Sequence, residues 1–266
     1  WSIGSKMLFA LLVGWLIFRI LRVIRQMIER HSDIHAEDNL KARRRHTRVR
    51  ILYRIIQSII AVLVIGFYWS REPAPFSVAG TTNQRLGRIG DEYVVGSATT
   101  AALISAAETL LDKPGGYLSN DMLPPGIYLD NIPNWEFGVL VQIRDLSRSM
   151  RESFSRSQSQ STEDVDLIIS EPRFHFDNDS WLFPPTESEY REAIGYLNSY
   201  LSRISDPQNS DAHFFARADN LASWLQNVES RLGSLSQRLS ASVQQQRVNV
   251  DTAGEQGALQ STPTRV

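Results

Sequence analysis

"ILYRIIQSIIAVLVIGFYW", residues 51–69, is the stretch on which the reading of this 266-residue chain turns. Apart from Arg54 it carries no charge, and it approaches the roughly 20 apolar residues that a helix needs to cross the hydrocarbon core of a bilayer. Arg54 lies near its start, where a long side chain reaches back to the interface. The pattern predicts a membrane-spanning helix. Its end, Tyr68-Trp69, supplies the amphipathic aromatics of an interfacial anchor.

Immediately upstream, "LKARRRHTRVR" (40–50) concentrates Lys41, Arg43, Arg44, Arg45, Arg48 and Arg50. Before that, "MLFALLVGWLIFRILRVI" (7–24) is a second apolar run close to spanning length. Together they predict a two-helix transmembrane hairpin over residues 1–69. Its basic loop, residues 25–50, belongs on the cytoplasmic side by the positive-inside rule, so in a bacterium everything after Trp69 is periplasmic. The first run is not read as a signal peptide, because its positive residues follow the apolar stretch and no small-x-small cleavage site comes after it. A buried hairpin of a soluble protein is the alternative. Arg19, Arg22 and Arg25 recur every third residue, as in voltage sensors, but they adjoin the loop and read as residues snorkelling to the interface. The cluster Arg43, Arg44, Arg45, Arg48 and Arg50 reads as a topology signal that also attracts anionic lipid, in preference to a nucleic-acid site. The lipid bilayer is the first expected partner, and no nucleic acid is expected. The chain opens on Trp1 without an initiator Met, as a fragment of a longer membrane region would.

Cysteine is absent, so a domain outside the cytoplasm would be held by its core and not by disulfides. Residues 70–95, rich in Pro, Gly and Thr, read as a stalk that lifts this domain off the membrane. Residues 96–243 then carry helical patterns. Leu103, Ala107 and Leu110 share one face of a helix over 97–111, which Pro114, Gly115 and Gly116 stop. Val139, Ile143, Leu146, Met150 and Phe154 mark another. Ser161 or Thr162 caps a short helix through Ile169, before Pro172 interrupts and "PRFHFDNDSWLFPP" alternates as an extended segment. Thr186 and Glu189 have the spacing of a capping box for a helix to about Ile204. Leu221, Leu225, Val228, Leu232, Leu235 and Leu239 form a heptad seam, expected to pack within an antiparallel bundle, with oligomerisation through residues 221–239 as the alternative. Residues 244–266 are almost without apolar side chains and read as a disordered tail. The fold class is mainly α: a transmembrane hairpin followed by a helical-bundle periplasmic domain with irregular ordered loops.

Between the first two distal helices lies "KPGGYLSNDMLPPGIYLDNIPNWEFG" (113–138), too rich in Pro, Gly, Asn and Asp for a helix and too aromatic for a linker. It reads as an ordered connection pinned by Tyr117, Ile127, Tyr128, Trp135 and Phe137 packing onto the bundle. Ordered loops of this length are often functional, so Tyr117, Tyr128 and Trp135 are candidates for binding a periplasmic protein or cell-wall partner. Glu136, between Trp135 and Phe137, is a weak candidate for a glycosidase acid with Asp121 or Asp130 as its counterpart. The plainer reading makes it a first-turn acid that complements a helix dipole. His175, Asp177 and Asp179 would share one side of a strand and could approach a metal, but read better as surface turn residues. No metal site or cofactor is expected. The chain has no nucleophile elbow, P-loop, zinc-type cluster or dinucleotide fingerprint.

Several long stretches carry a resemblance: "FYWSREP", "LLDKPGGYLSNDMLPPGIYLDNIPNWEFGVLVQIRDLSRSMR", "EPRFHFDNDSW" and "FFARADNLASWLQNVESRLGSLSQRLSASV". From about Ile60 to Val243 the chain resembles the bacterial inner-membrane family catalogued as domain of unknown function 2333. The resemblance implies a membrane-anchored, mainly helical domain outside the cytoplasm in Gram-negative bacteria. It implies no activity and no catalytic residues. Residues 1–66 weakly resemble the membrane helices that precede the pore helix in small-conductance mechanosensitive channels, whose pore helix and β domain this chain lacks. The expected function is an inner-membrane-anchored structural or interaction module of the cell envelope. A periplasmic glycan hydrolase using Glu136 and a channel subunit stand as alternatives.

Overall fold

Helix α1 (Leu40–Trp69) contains the apolar stretch, and its part from Thr47 to Trp69 is 23 residues, long and apolar enough to cross a membrane. At 1.5 Å per residue this part extends about 34 Å, and almost none of it is buried. The computed structural model describes residues 40–87, 94–157, 162–206, 208 and 211–244, with Arg19, Arg22, Val23 and Gln26 before them. Most of the first apolar run, most of the loop that would close a hairpin, and the tail from residue 245 lie outside the described residues. Among the described residues α1 is the one candidate span.

After α1 the described residues form a mainly helical protein with no strand. Helix α2 (Val78–Leu86) occupies the segment expected to be a stalk. Ser77 caps it, its hydroxyl accepting the Gly80 N–H at 3.2 Å, and Gly87 ends it with φ +60°. These local caps outweigh the Pro/Gly/Thr composition. Helix α3 (Ser97–Asp112) packs against α2 and buries Leu103, Ala107 and Leu110 as expected. It starts behind Gly96, whose φ of +91° and contact with Phe214 leave no room for a side chain.

Helix α4 (Asn131–Ser149) begins a full turn or more before the apolar series that predicts it. Pro133 is tolerated there because a first-turn residue has no intrahelical N–H bond to lose. The helix runs into a π-helical turn, Met150–Phe154, which buries Met150 and Phe154. Helix α5 (Val165–Phe174) is capped by Asp164, not by Ser161 or Thr162: its Oδ1 accepts from Asp166 N at 2.9 Å and Leu167 N at 3.4 Å. It also continues through Pro172 to Phe174, where an extended segment is expected. Tertiary contacts reverse that expectation. Phe174 is fully buried, and Arg144 of α4 donates to the carbonyls of Phe174 (2.7 Å) and Phe176 (2.9 Å), holding the end of the helix.

Helix α6 (Thr186–Ser205) buries Tyr190, Ile194, Leu197, Leu201 and Ile204, as the spacing predicts. The capping box does not form. The Thr186 hydroxyl donates to Asp177 O (2.8 Å), and Glu189 pairs with Arg173 instead of returning to the helix start. Helices α3, α4, α5 and α6 close a ring, each packed on the next, around Ile104, Leu140, Met150, Phe174, Leu197 and Tyr200.

Helix α7 (Ala218–Gln244) is the exception to the bundle. Its start is tied down by Asn220, which donates to Ser153 O, and farther along Arg231 pairs with Asp145 of α4. The seam expected to pack inside the bundle is exposed instead, with Leu221, Leu225, Leu232, Leu235 and Leu239 each about half exposed or more. The ring of four helices is already closed without it.

Candidate functional site

The stretch 113–138 is held by charge. Gly115 (φ +93°) and Gly116 (φ +75°) turn the chain out of α3. Ile132, Leu140 and Ile143 then fix the inner face of α4 against the core. That rotation carries Glu136, one helical turn from Ile132 and Leu140, to the same inner face. There its carboxylate meets the Lys113 ammonium, and both side chains are fully buried.

Every oxygen of this carboxylate is used. Oε1 accepts from Leu118 N (2.8 Å) and Lys113, and Oε2 accepts from Ser119 N (2.8 Å) and the Ser119 hydroxyl. Lys113 also donates to the carbonyls of Leu110 and Gly116. The pair therefore satisfies backbone groups that a helix end and an irregular loop leave without partners. Burial pushes the Lys113 ammonium below its ordinary value, and Glu136 opposes that shift. The dipole reading of Glu136 fails, since it sits in the second turn and not the first. As a glycosidase acid it would need a face open to substrate, and it has none.

The other candidates separate. Asp121 is half-buried beside Gly126, and burial together with Glu187 and Glu136 raises its carboxyl above the usual range. Asp130 stands exposed at the start of α4. Tyr117 is a core residue: its hydroxyl donates to Asn178 O (2.9 Å), its ring meets Tyr190 edge-on at 5.9 Å, and burial raises its titration. It is not available to a partner. Trp135 packs half-buried against the core. Of the three partner-binding candidates Tyr128 alone is exposed, at 76%. Ile127 and Phe137, expected to pin the loop, are exposed as well. His175 closes α5, its Nδ1 lying 3.1 Å from Glu171 O, so the alternation with Asp177 and Asp179 does not exist. Of the basic residues, Arg44, Arg48 and Arg50 are exposed along the first turns of α1; the side chains of Arg43 and Arg45 lie outside the described residues.

The residues that sequence reasoning misses are Lys113, Ser119 and the contacts of the loop with α1. The loop lies against the end of the apolar helix and is not lifted away from it. A Cβ on Gly66 would stand 3.2 Å from Pro125, and one on Gly115 would stand 2.8 Å from the Trp69 ring. Asn131 Nδ2 donates to Ser70 O at 3.2 Å. The neighbouring turn, joined to the loop through Asn120 donating to Ser180 O (3.0 Å), leaves Trp181, Leu182 and Phe183 exposed. A cleft of about 640 Å³ lies between α2 and α3, and its charges are already paired, Arg85 with Glu108 and Asp112 with Arg191. Among the described residues no group of three or more acidic or histidine side chains is placed to hold a metal ion.

No curated protein and no solved structure matches the chain. A family match does exist, and it begins inside the basic cluster and takes in all of the candidate span and the helical part, starting earlier than the resemblance from Ile60 suggests. Over residues 42–266 the chain matches, and belongs to, the bacterial family described as "Uncharacterized protein conserved in bacteria (DUF2333)".

Proposed function

We propose that this chain is a membrane-anchored, non-catalytic interaction module of the bacterial envelope. In this reading α1 and the apolar run before it form a hairpin in the inner membrane, residues 25–50 face the cytoplasm, and the helical part stands in the periplasm. The basic residues in the first turns of α1, ahead of its apolar part, support that orientation.

The observation that carries the module reading is α7. An amphipathic helix of 27 residues with an uncovered leucine seam needs a partner, and a second copy of the chain fits it. The charge pattern agrees with a parallel pairing. With Leu225, Leu232 and Leu239 at the a positions, Arg231 and Arg238 fall at g, and Glu229 and Ser236 at e. In parallel helices g faces e, so Arg231 meets Ser236 and Trp224 meets Glu229, with no like charges opposed. Antiparallel helices would instead bring g against g and set arginine against arginine. Two chains anchored in one membrane have the same orientation, as a parallel pair requires.

The test is the mass of the full chain in mild detergent. We expect twice 30.2 kDa for the wild type and 30.2 kDa for a Leu225→Asp, Leu232→Asp double variant with unchanged helical circular dichroism. A monomeric wild type would sink self-association through this seam.

A further inference from the structure

We infer that the turn Met122–Tyr128 is a second, non-spanning membrane contact that enters the acyl boundary of the leaflet beside the end of α1. This rests on α1 being a membrane span. Pro125 and Leu129 pack on Gly66, which lies three residues inside Trp69, or about 4.5 Å deeper along the helix axis. A turn held at that depth lies below the plane of the aromatic anchor.

The chemistry of the turn suits that place. "MLPPGIYL" (122–129) has no charged side chain, and its one polar side chain is the Tyr128 hydroxyl, of the kind that settles at the interface. Its large side chains point away from the protein, with Leu123 71% exposed and Met122, Ile127 and Tyr128 also open. In water such a cluster is unfavourable, and in lipid it contributes. The backbone is prepared as well. Pro124 and Pro125 have no N–H to satisfy, and Ile127, Tyr128 and Leu129 donate theirs to Leu123, Pro125 and Gly126 within the turn. Lipid-exposed irregular backbone is excluded from the hydrocarbon centre, so a turn with these partial internal bonds belongs at the acyl boundary, where water still reaches its remaining polar groups. Asn131, donating to Ser70 O just after α1, and Gly115 against the Trp69 ring hold the loop in register with α1.

The chain has no cysteine, so single reporters can be placed in the full-length protein. Leu63→Cys, Leu123→Cys and Ser202→Cys would each be labelled with an environment-sensitive fluorophore. Each is then reconstituted into phosphatidylethanolamine and phosphatidylglycerol bilayers carrying a nitroxide lipid, shallow or deep in the acyl chain. We expect Leu63→Cys to be quenched by the deep nitroxide, Leu123→Cys by the shallow one, and Ser202→Cys by neither. Ile127→Cys serves as a second reporter should Leu123→Cys fold poorly. Quenching at 63 without quenching at 123 or 127 overturns the inference and leaves the span standing, as it would if a protein partner or a second copy covered the turn. No quenching at any of these positions overturns both.

Discussion

Lys113 and Glu136, 23 residues apart in sequence, form an ion pair from which solvent is excluded on both sides, and the irregular stretch between them is organised around it. Removing one partner of such a pair leaves an uncompensated buried charge, which costs about 3–5 kcal/mol. We expect Lys113→Met and Glu136→Leu each to lower stability by about that amount, and the double variant carrying both to cost less than their sum. Denaturant unfolding of the four proteins measures this. Additive losses would mean that the two groups act independently.

Stability should fall at alkaline pH, for a reason visible in the core. Burial raises the titration of the Tyr117, Tyr190 and Tyr200 hydroxyls. A group whose value is raised in the fold contributes stability below its ordinary value, about 10 for tyrosine, and loses it as pH rises beyond that. Lys113 works in the opposite sense: its value is lowered in the fold, so its contribution is present above the ordinary lysine range and lost as pH falls through the folded value. Three tyrosines oppose one lysine, and above about pH 10 the fall prevails. Tyr200→Phe should flatten it. An unchanged slope of denaturation midpoint against pH in that variant would remove Tyr200 from the account.

Gly96 allows the bundle to accept the segment before α7. Its backbone is left-handed, and a methyl group there would overlap the Phe214 ring, which in turn stacks on Phe154 at 5.0 Å. Gly96→Ala should cost about 2 kcal/mol or more through the strained φ and the displaced ring. A melting temperature equal to that of the wild type would show that Phe214 moves aside freely.

The orientation of the chain can be read directly. We expect Ser188→Cys, at an exposed position of α6, to react in intact cells with a membrane-impermeant thiol reagent, and Ala36→Cys, in the basic loop, to react only after the cells are opened. The reverse pattern would place the helical part in the cytoplasm and end the envelope reading.

Much of the architecture was legible in local pattern. The apolar length of α1, the periodic burial of α3 and α6, and the seam of α7 are all short-range signals, because helices repeat every 3.6 residues and a bilayer sets a length. The boundaries were less so. The extended reading of 172–185 failed at its first residues because Arg144, from a different helix, holds the carbonyls that keep Phe174 helical. The capping box failed because Thr186 found the carbonyls of Asp177 and Ser180.

What the sequence determined by itself is therefore the class of the protein: most of its helices, its candidate membrane segment and its family. Tertiary structure decided which exposed or buried role each candidate takes. Glu136 reads from its neighbours as a catalytic acid or a dipole partner, yet it became the counter-charge of Lys113 because the rotation of α4 and the turn at Gly115 and Gly116 brought the two together. The leucine seam reads as core, yet it stayed outside because the ring of four helices closed without it. Both outcomes depend on contacts distant in the chain, which spacing within one helix does not encode.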